Sequence, residues 1–249
     1  MIVRLLRFVL VVILMLNICL IQSQGSALPL NKLNKRDQKI GQWKVFYDNS
    51  SQLRYVGQFD KDVPVGDFIY YYPTGDLSAK MEYVNDSISY VIHYHDNGNV
   101  MGSGKFLYKQ KDSTWKVYNR QGQLILKSFY EVGIANGLQQ VFYPTDRSEG
   151  PSVVMEKYYM VNGLIDGKWQ QFFKDGSIKA KGIYSEGSKS GEFVYFLEDG
   201  TIDTRGSYIN NLKHGKWYYY AGENNNSSEI NYIDGEPIEE DDLNNSDEE

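Results

Sequence analysis

From residue 40 to about residue 235 apolar and polar positions alternate in short runs, and the pattern resets every 24 residues. The clearest copies begin at Gly167, Gly191 and Gly215, each opening Gly-Lys/Glu-Trp/Phe and running into aromatic residues. Carried backwards, the frame starts at Gly41, Gly66, Ser89, Ser113 and Gly137, with extra residues near Ser50 and from Asp146 to Ser152 absorbing the two long spacings. Period-two alternation marks half-buried strands, and a repeat of this length marks one supersecondary unit used many times.

Each unit carries two turn signals. One lies eight and nine residues after the start, as in Thr74-Gly75, Asn97-Gly98, Gln121-Gly122, Asp175-Gly176 and Asp199-Gly200. The other lies near its end, as in Asn85-Asp86, Asn162-Gly163, Glu186-Gly187, Asn210-Asn211 and Asp234-Gly235. Such pairs supply the positive φ angles of two-residue hairpin turns, so each unit reads strand-turn-strand. The prediction is an all-β chain: an elongated antiparallel β-meander of about eight hairpin repeats, some sixteen strands in a twisted single sheet or trough about 75 Å long.

Two-residue turns set which residues face each other. Phe173 is expected opposite Ile178, Gln171 opposite Ala180 and Trp169 opposite Gly182, with Trp43 and Gly57, Val91 and Gly104, Trp115 and Ser128, and Phe193 and Gly206 paired likewise. Across the second turn, Trp115 is expected opposite Gly102, Phe193 opposite Ala180 and Trp217 opposite Thr204. Large rings beside small neighbours make a packed face, extended by Tyr83, Phe106, Tyr130, Tyr184, Tyr208 and Tyr232.

The opposite face is more polar, with Lys80, Lys127, Lys157, Lys181 and Arg205 on second strands. Five residues after each start, however, it carries a ring: Phe46, Tyr71, Tyr94, Tyr118, Phe142, Phe172, Phe196 and Tyr220. These rings, paired with the cations of their own hairpins, are the candidate binding residues, because an exposed apolar stripe with a polar rim marks contact sites. The alternative is purely structural: rings stacked between neighbouring hairpins under lysine stems.

Outside the repeat, Arg4 and Arg7 precede an apolar run from Phe8 to Ile21 and then small residues, the layout of a secretory signal peptide over residues 1–27. About 14 apolar residues fall short of the roughly 20 of a spanning helix. Cys19, the one cysteine, lies inside this leader, so the mature chain has no thiol chemistry unless Cys19 is lipidated. Residues 28–39 read as a linker, 40–235 as the array, and 236–249, with eight acidic and no basic residues, as a disordered acidic tail. Leader and tail aside, 24 basic and 24 acidic residues balance, which argues against a nucleic-acid footprint.

Catalytic and metal chemistry find little support. His93 and His95 share a strand face and could hold a metal with Asp96, but they occupy columns filled elsewhere by Val, Tyr and Phe. The Asp-Gly pairs lack the alternating acids and final Glu of a calcium loop. No phosphate-cradling loop and no nucleophile elbow is present. No cofactor and no enzymatic activity are expected.

The recurring Gly-x-Trp-x-x-Tyr/Phe-Tyr/Phe-x-x-Gly with a later Gly-x-Tyr, cleanest over residues 167–220, resembles the MORN-repeat variant family of bacterial proteins. Copy three, with Ser89-Tyr90-Val91, and copy five, with Gln139 for Trp, depart from it. The resemblance implies a sheet of stacked hairpins acting as a scaffold or a protein or lipid contact surface, and some relatives are labelled antitoxins. The run Lys216-Trp-Tyr-Tyr-Tyr220 is also similar to cell-wall-binding and glucan-binding aromatic repeats. The expected function is an exported, non-catalytic scaffold for an unidentified protein; the alternatives are binding of an envelope polysaccharide through the aromatic stripe and antitoxin-like neutralisation of a partner. Membrane association is expected only through the leader or a lipidated Cys19.

Overall fold

The computed structural model describes residues 30–144, 152–221 and 226–238; the predicted leader and most of the acidic tail lie outside them. The described residues form one open antiparallel sheet of 19 strands in meander order. In chain order these are β1 (Lys32–Leu33), β2 (Lys39–Phe46), β3 (Leu53–Asp60), β4 (Val63–Tyr71), β5 (Leu77–Tyr83), β6 (Ile88–Tyr94), β7 (Val100–Leu107), β8 (Gln110–Tyr118) and β9 (Leu124–Glu131). They continue as β10 (Ile134–Ala135), β11 (Gly137–Phe142), β12 (Val154–Val161), β13 (Leu164–Phe172), β14 (Ile178–Ser185), β15 (Ser188–Phe196), β16 (Ile202–Ile209), β17 (Leu212–Ala221), β18 (Asn226–Ile233) and β19 (Glu236–Ile238). Without the two- and three-residue strands β1, β10 and β19, the eight expected hairpins remain.

Pairing runs past both expected ends of the array. Asn31 hydrogen-bonds the backbone of Lys44 twice, donating to its carbonyl at 2.9 Å and accepting from its N–H at 2.7 Å, and β1 pairs with β2 inside the segment read as a linker. At the other end the Asp234-Gly235 turn folds Glu236–Ile238 back onto Asn231–Ile233, so the first residues of the tail are strand, not disordered.

The two turn classes differ in geometry. Most second turns have positive φ at both centres, including Lys61-Asp62, Tyr108-Lys109, Val132-Gly133 and Glu186-Gly187, as two-residue hairpins require. The first turns are longer than expected. Phe173 accepts from the N–H of Gly176 and donates to the carbonyl of Ser177, enclosing three residues with positive φ at the glycine alone. That extra residue is why Phe172, not Phe173, faces Ile178, while Gln171–Ala180 and Trp169–Gly182 pair as expected.

Between units the register departs further. Val56 pairs with Ile69 but Gln58 pairs with Val65, so β4 fits two more residues than β3 into the same stretch, at a backbone kink where Gly66 has positive φ. The same kink recurs at Ser113, Gly191 and Gly215. Trp115, Phe193 and Trp217 are thereby carried past Gly102, Ala180 and Thr204, their expected neighbours; Val117, Tyr195 and Tyr219 pair there instead.

The rings land on the next glycine. Phe68 lies over Gly57, Trp115 over Gly104, Phe193 over Gly182 and Trp217 over Gly206, so close that a Cβ at any of the four would sit inside the ring's van der Waals surface. At two of the three places where the glycine column holds a larger residue, the ring is missing: Met81 meets Val91, and Ser128 is followed across the sheet by Gln139. At Tyr158, Trp169 keeps its ring but turns the indole N–H to Glu156, 2.5 Å away. Elsewhere that N–H goes to backbone, from Trp115 to Lys105 and from Trp217 to Ser207, both at 3.0 Å.

Gln139 replaces the indole's hydrogen bond as well as its position. Its Nε2 donates to the Phe129 carbonyl at 3.1 Å, the equivalent acceptor, and the residue is 2 % exposed. Gln139→Leu should remove this bond, leaving the Phe129 carbonyl only the Asn136 N–H, and cost about 0.5–1.5 kcal/mol. Gln139→Trp combined with Ser128→Gly should restore the regular junction and at least recover the wild-type melting temperature; a double variant no more stable than Gln139→Leu would contradict the rule.

Candidate functional site

The two faces do different work. On the ring face Phe193 is fully buried and Phe68 and Trp217 nearly so, within a single layer of sheet. Their cover comes from neighbouring rings: Phe193 meets Tyr208 edge-on at 5.0 Å, as do Tyr208 and Trp217 at 5.0 Å and Phe106 and Trp115 at 4.9 Å. Hydroxyl pairs such as Tyr219–Tyr232 at 2.9 Å tie adjacent strands. Burial, aided by the bonds to Tyr83 and Tyr208, pushes the Tyr70 and Tyr195 phenols well above the ordinary tyrosine range, so they stay neutral donors.

The ring face also carries a lysine column that sequence reading missed. Lys39, Lys111, Lys189 and Lys213 stand two residues before a unit start, and each ammonium lies over two rings of its own unit, or three for Lys213. Lys213 is 4.5 Å from the Trp217 centroid and 4.9 Å from that of Tyr232, and donates to the Tyr219 hydroxyl at 2.8 Å. Burial lowers its pKa, but the Tyr219 bond and surrounding phenols outweigh that and the net direction is up.

The predicted stripe on the outer face exists but is not uniform. Its rings sit beside the first-turn bulge, where Phe46 is 47 % exposed and Phe142 only 8 %, with Tyr71, Tyr94, Tyr118, Phe172, Phe196 and Tyr220 between these classes. The cations meet rings of the following hairpin, not their own: Lys157 lies 4.9 Å from Phe172, Lys181 5.4 Å from Phe196, and Arg205 5.1 Å from Tyr218. Lys80 and Lys127 lie on the same face, paired with Ile69 and Lys116 respectively.

The residue after the stripe ring stitches units together in copies one, two, three and five. The hydroxyls of Tyr47, Tyr72 and Tyr143 donate to the carbonyls of Tyr71, Tyr94 and Phe172 at 2.7–2.9 Å, and the His95 ring nitrogen bonds the Tyr118 carbonyl at 3.0 Å. His95 is therefore a rung in a structural ladder. Asp96 pairs with Arg120 of the next unit at 2.5 and 3.0 Å, which holds its carboxyl below the usual range. Burial and Lys111 lower the His93 pKa on the ring face. Among the described residues no three His, Cys, Asp or Glu side chains converge on a metal site.

The exposed apolar surface lies elsewhere on the outer face, along the second turns. Ile134, Val161, Leu164, Ile209, Leu212 and Ile233 are each about half exposed. Leu164 reaches toward Gly187 of the next turn and Leu212 toward Gly235, so the side chains form a rim, interrupted at Ser185 and Ser188. Tyr159, 51 % exposed, and Ile183, 49 % exposed, broaden it inward.

Comparison with known proteins agrees with this geometry. The MORN repeat variant matches residues 64–85 and 165–186, each running from the first strand of a unit to its second turn. No curated protein matches the chain. Among solved structures, a mutant of S. aureus TarM in complex with fondaparinux, alpha-GlcNAc-glycerol and UDP is similar at 15 % identity, over 49 % of this chain and 21 % of that one, with a TM-score of 0.30. Two units thus match the MORN repeat variant, and the same hairpin is repeated around them along the sheet.

Proposed function

We propose that the protein is an exported, non-catalytic scaffold that holds a protein partner along its outer face. The aliphatic rim from Ile134 to Ile233 carries this reading. Half-exposed Ile, Leu and Val side chains repeated along one edge offer a contact surface that the fold itself does not use. The rings on the other face are spent on internal packing. Phe172 and Phe196 in the stripe are partly covered by cations of the preceding unit, which leaves these two rings little open face for sugar stacking.

Leu164→Asp with Leu212→Asp should abolish capture of a partner from envelope extract while leaving the melting temperature and circular dichroism near those of the parent. Undiminished capture by this variant, or retention of the parent on purified peptidoglycan or glucan instead, would replace the protein-contact reading.

A further inference from the structure

The lysine column is interrupted at copies five and six, by Ala135 and Ile165, and at the adjacent copies two and three. The position filled by Lys39, Lys111, Lys189 and Lys213 is Pro64 in the second unit and Ser87 in the third. The backbone differs there too: β5 and β6 pair without the kink, Ser89 does not share the positive φ of the other starts, and Val91 stands where a ring would lie. The second turn between these units is correspondingly longer, with the Asn85 side chain accepting from the N–H groups of Ser87 and Ile88.

These departures open a cleft of about 610 Å³ on the ring face. Pro64 and Ser87 line it, as do Tyr83 and Phe106, the rings equivalent to those beneath the lysines elsewhere. Asp62 and Asp86 also line it, against a single cation, Lys109.

We infer that this cleft receives the side chain of a lysine from a protein partner. The ammonium lies against Tyr83 and Phe106, which hold the second-strand position that Tyr130 and Tyr208 hold beneath Lys111 and Lys189, and the methylene stem lies along Met81 and Pro64. Two carboxylates supply the opposite charge, and Tyr83 and Phe106, both partly buried, supply the ring surface. The cleft and the aliphatic rim are on opposite faces, so either can be lost with the other intact.

The test is fluorescence anisotropy of the full chain with a short labelled peptide of alternating lysine and threonine, beside its glutamate–threonine counterpart. The lysine peptide alone should bind. Pro64→Lys, which returns the array's own cation, should weaken it by roughly tenfold or more. Ser87→Lys, a second variant that leaves the proline in place, should do the same, while Thr114→Lys on the outer face should not. Unchanged affinity in both filled variants overturns the site, as does equal weakening by Thr114→Lys. Displacement of the peptide by free lysine amide as readily as by unlabelled peptide overturns the protein partner in favour of a small amine.

Discussion

Gly206→Ser is expected to lower the melting temperature by about 4–8 °C, the effect of an overpacking cost near 2 kcal/mol in a domain of this size. The reason is steric. A Cβ at Gly206 would intrude on the Trp217 indole, which is 1 % exposed and fixed at its far end by the hydrogen bond to Ser207, so the ring has nowhere to withdraw. Adding Trp217→Gln should recover part of the loss, because Ser128 and Gln139 already form that combination in the same chain. Thermal melts of both single variants and the double measure the coupling; a double variant that melts at the sum of the two losses would show that glycine and ring do not act as a pair.

Trp217→Ala should cost about 3–5 kcal/mol, as expected for truncating a buried tryptophan. The loss should also be local. Each hairpin touches only its chain neighbours, so the array is close to a one-dimensional chain of units with nearest-neighbour coupling. Trp217 joins Tyr208, Tyr219, Tyr232 and Lys213, all on β16 to β18. Hydrogen exchange should therefore accelerate at β16 to β19 while β2 to β8 keep their protection. A uniform rise over the whole sheet would mean that the units unfold as one body and that the nearest-neighbour description is wrong.

The hairpins were readable in the sequence because period and turn residues act locally. Trp43–Gly57, Val91–Gly104, Trp115–Ser128 and Phe193–Gly206 all pair as the spacing implied. The pairing between units was not, since it depends on a backbone kink at the unit start. The glycines there suggested a turn residue, but Ser113 adopts the same positive φ without being glycine. The candidate site shows the same division. The stripe column was visible, but its exposure and its partners depend on how successive hairpins overlap, so the cations meet the next unit's rings. Two columns were overlooked although their signals lay in the chain: lysine two residues before a unit start, and tyrosine or histidine six residues after it.

The matched irregularities of the glycine column bear on how the chain finds its order. Near-identical hairpins can dock one unit out of step during folding, because backbone pairing alone does not distinguish one neighbour from the next. If β8 docked on β5, skipping one hairpin, the Trp115 ring would meet Met81 in place of Gly104, and β11 docked on β7 would set Gln139 over a bare glycine. Met81 with Val91 and Ser128 with Gln139 thus work as keyed joints that count the hairpins, penalising a skipped copy at the moment of assembly.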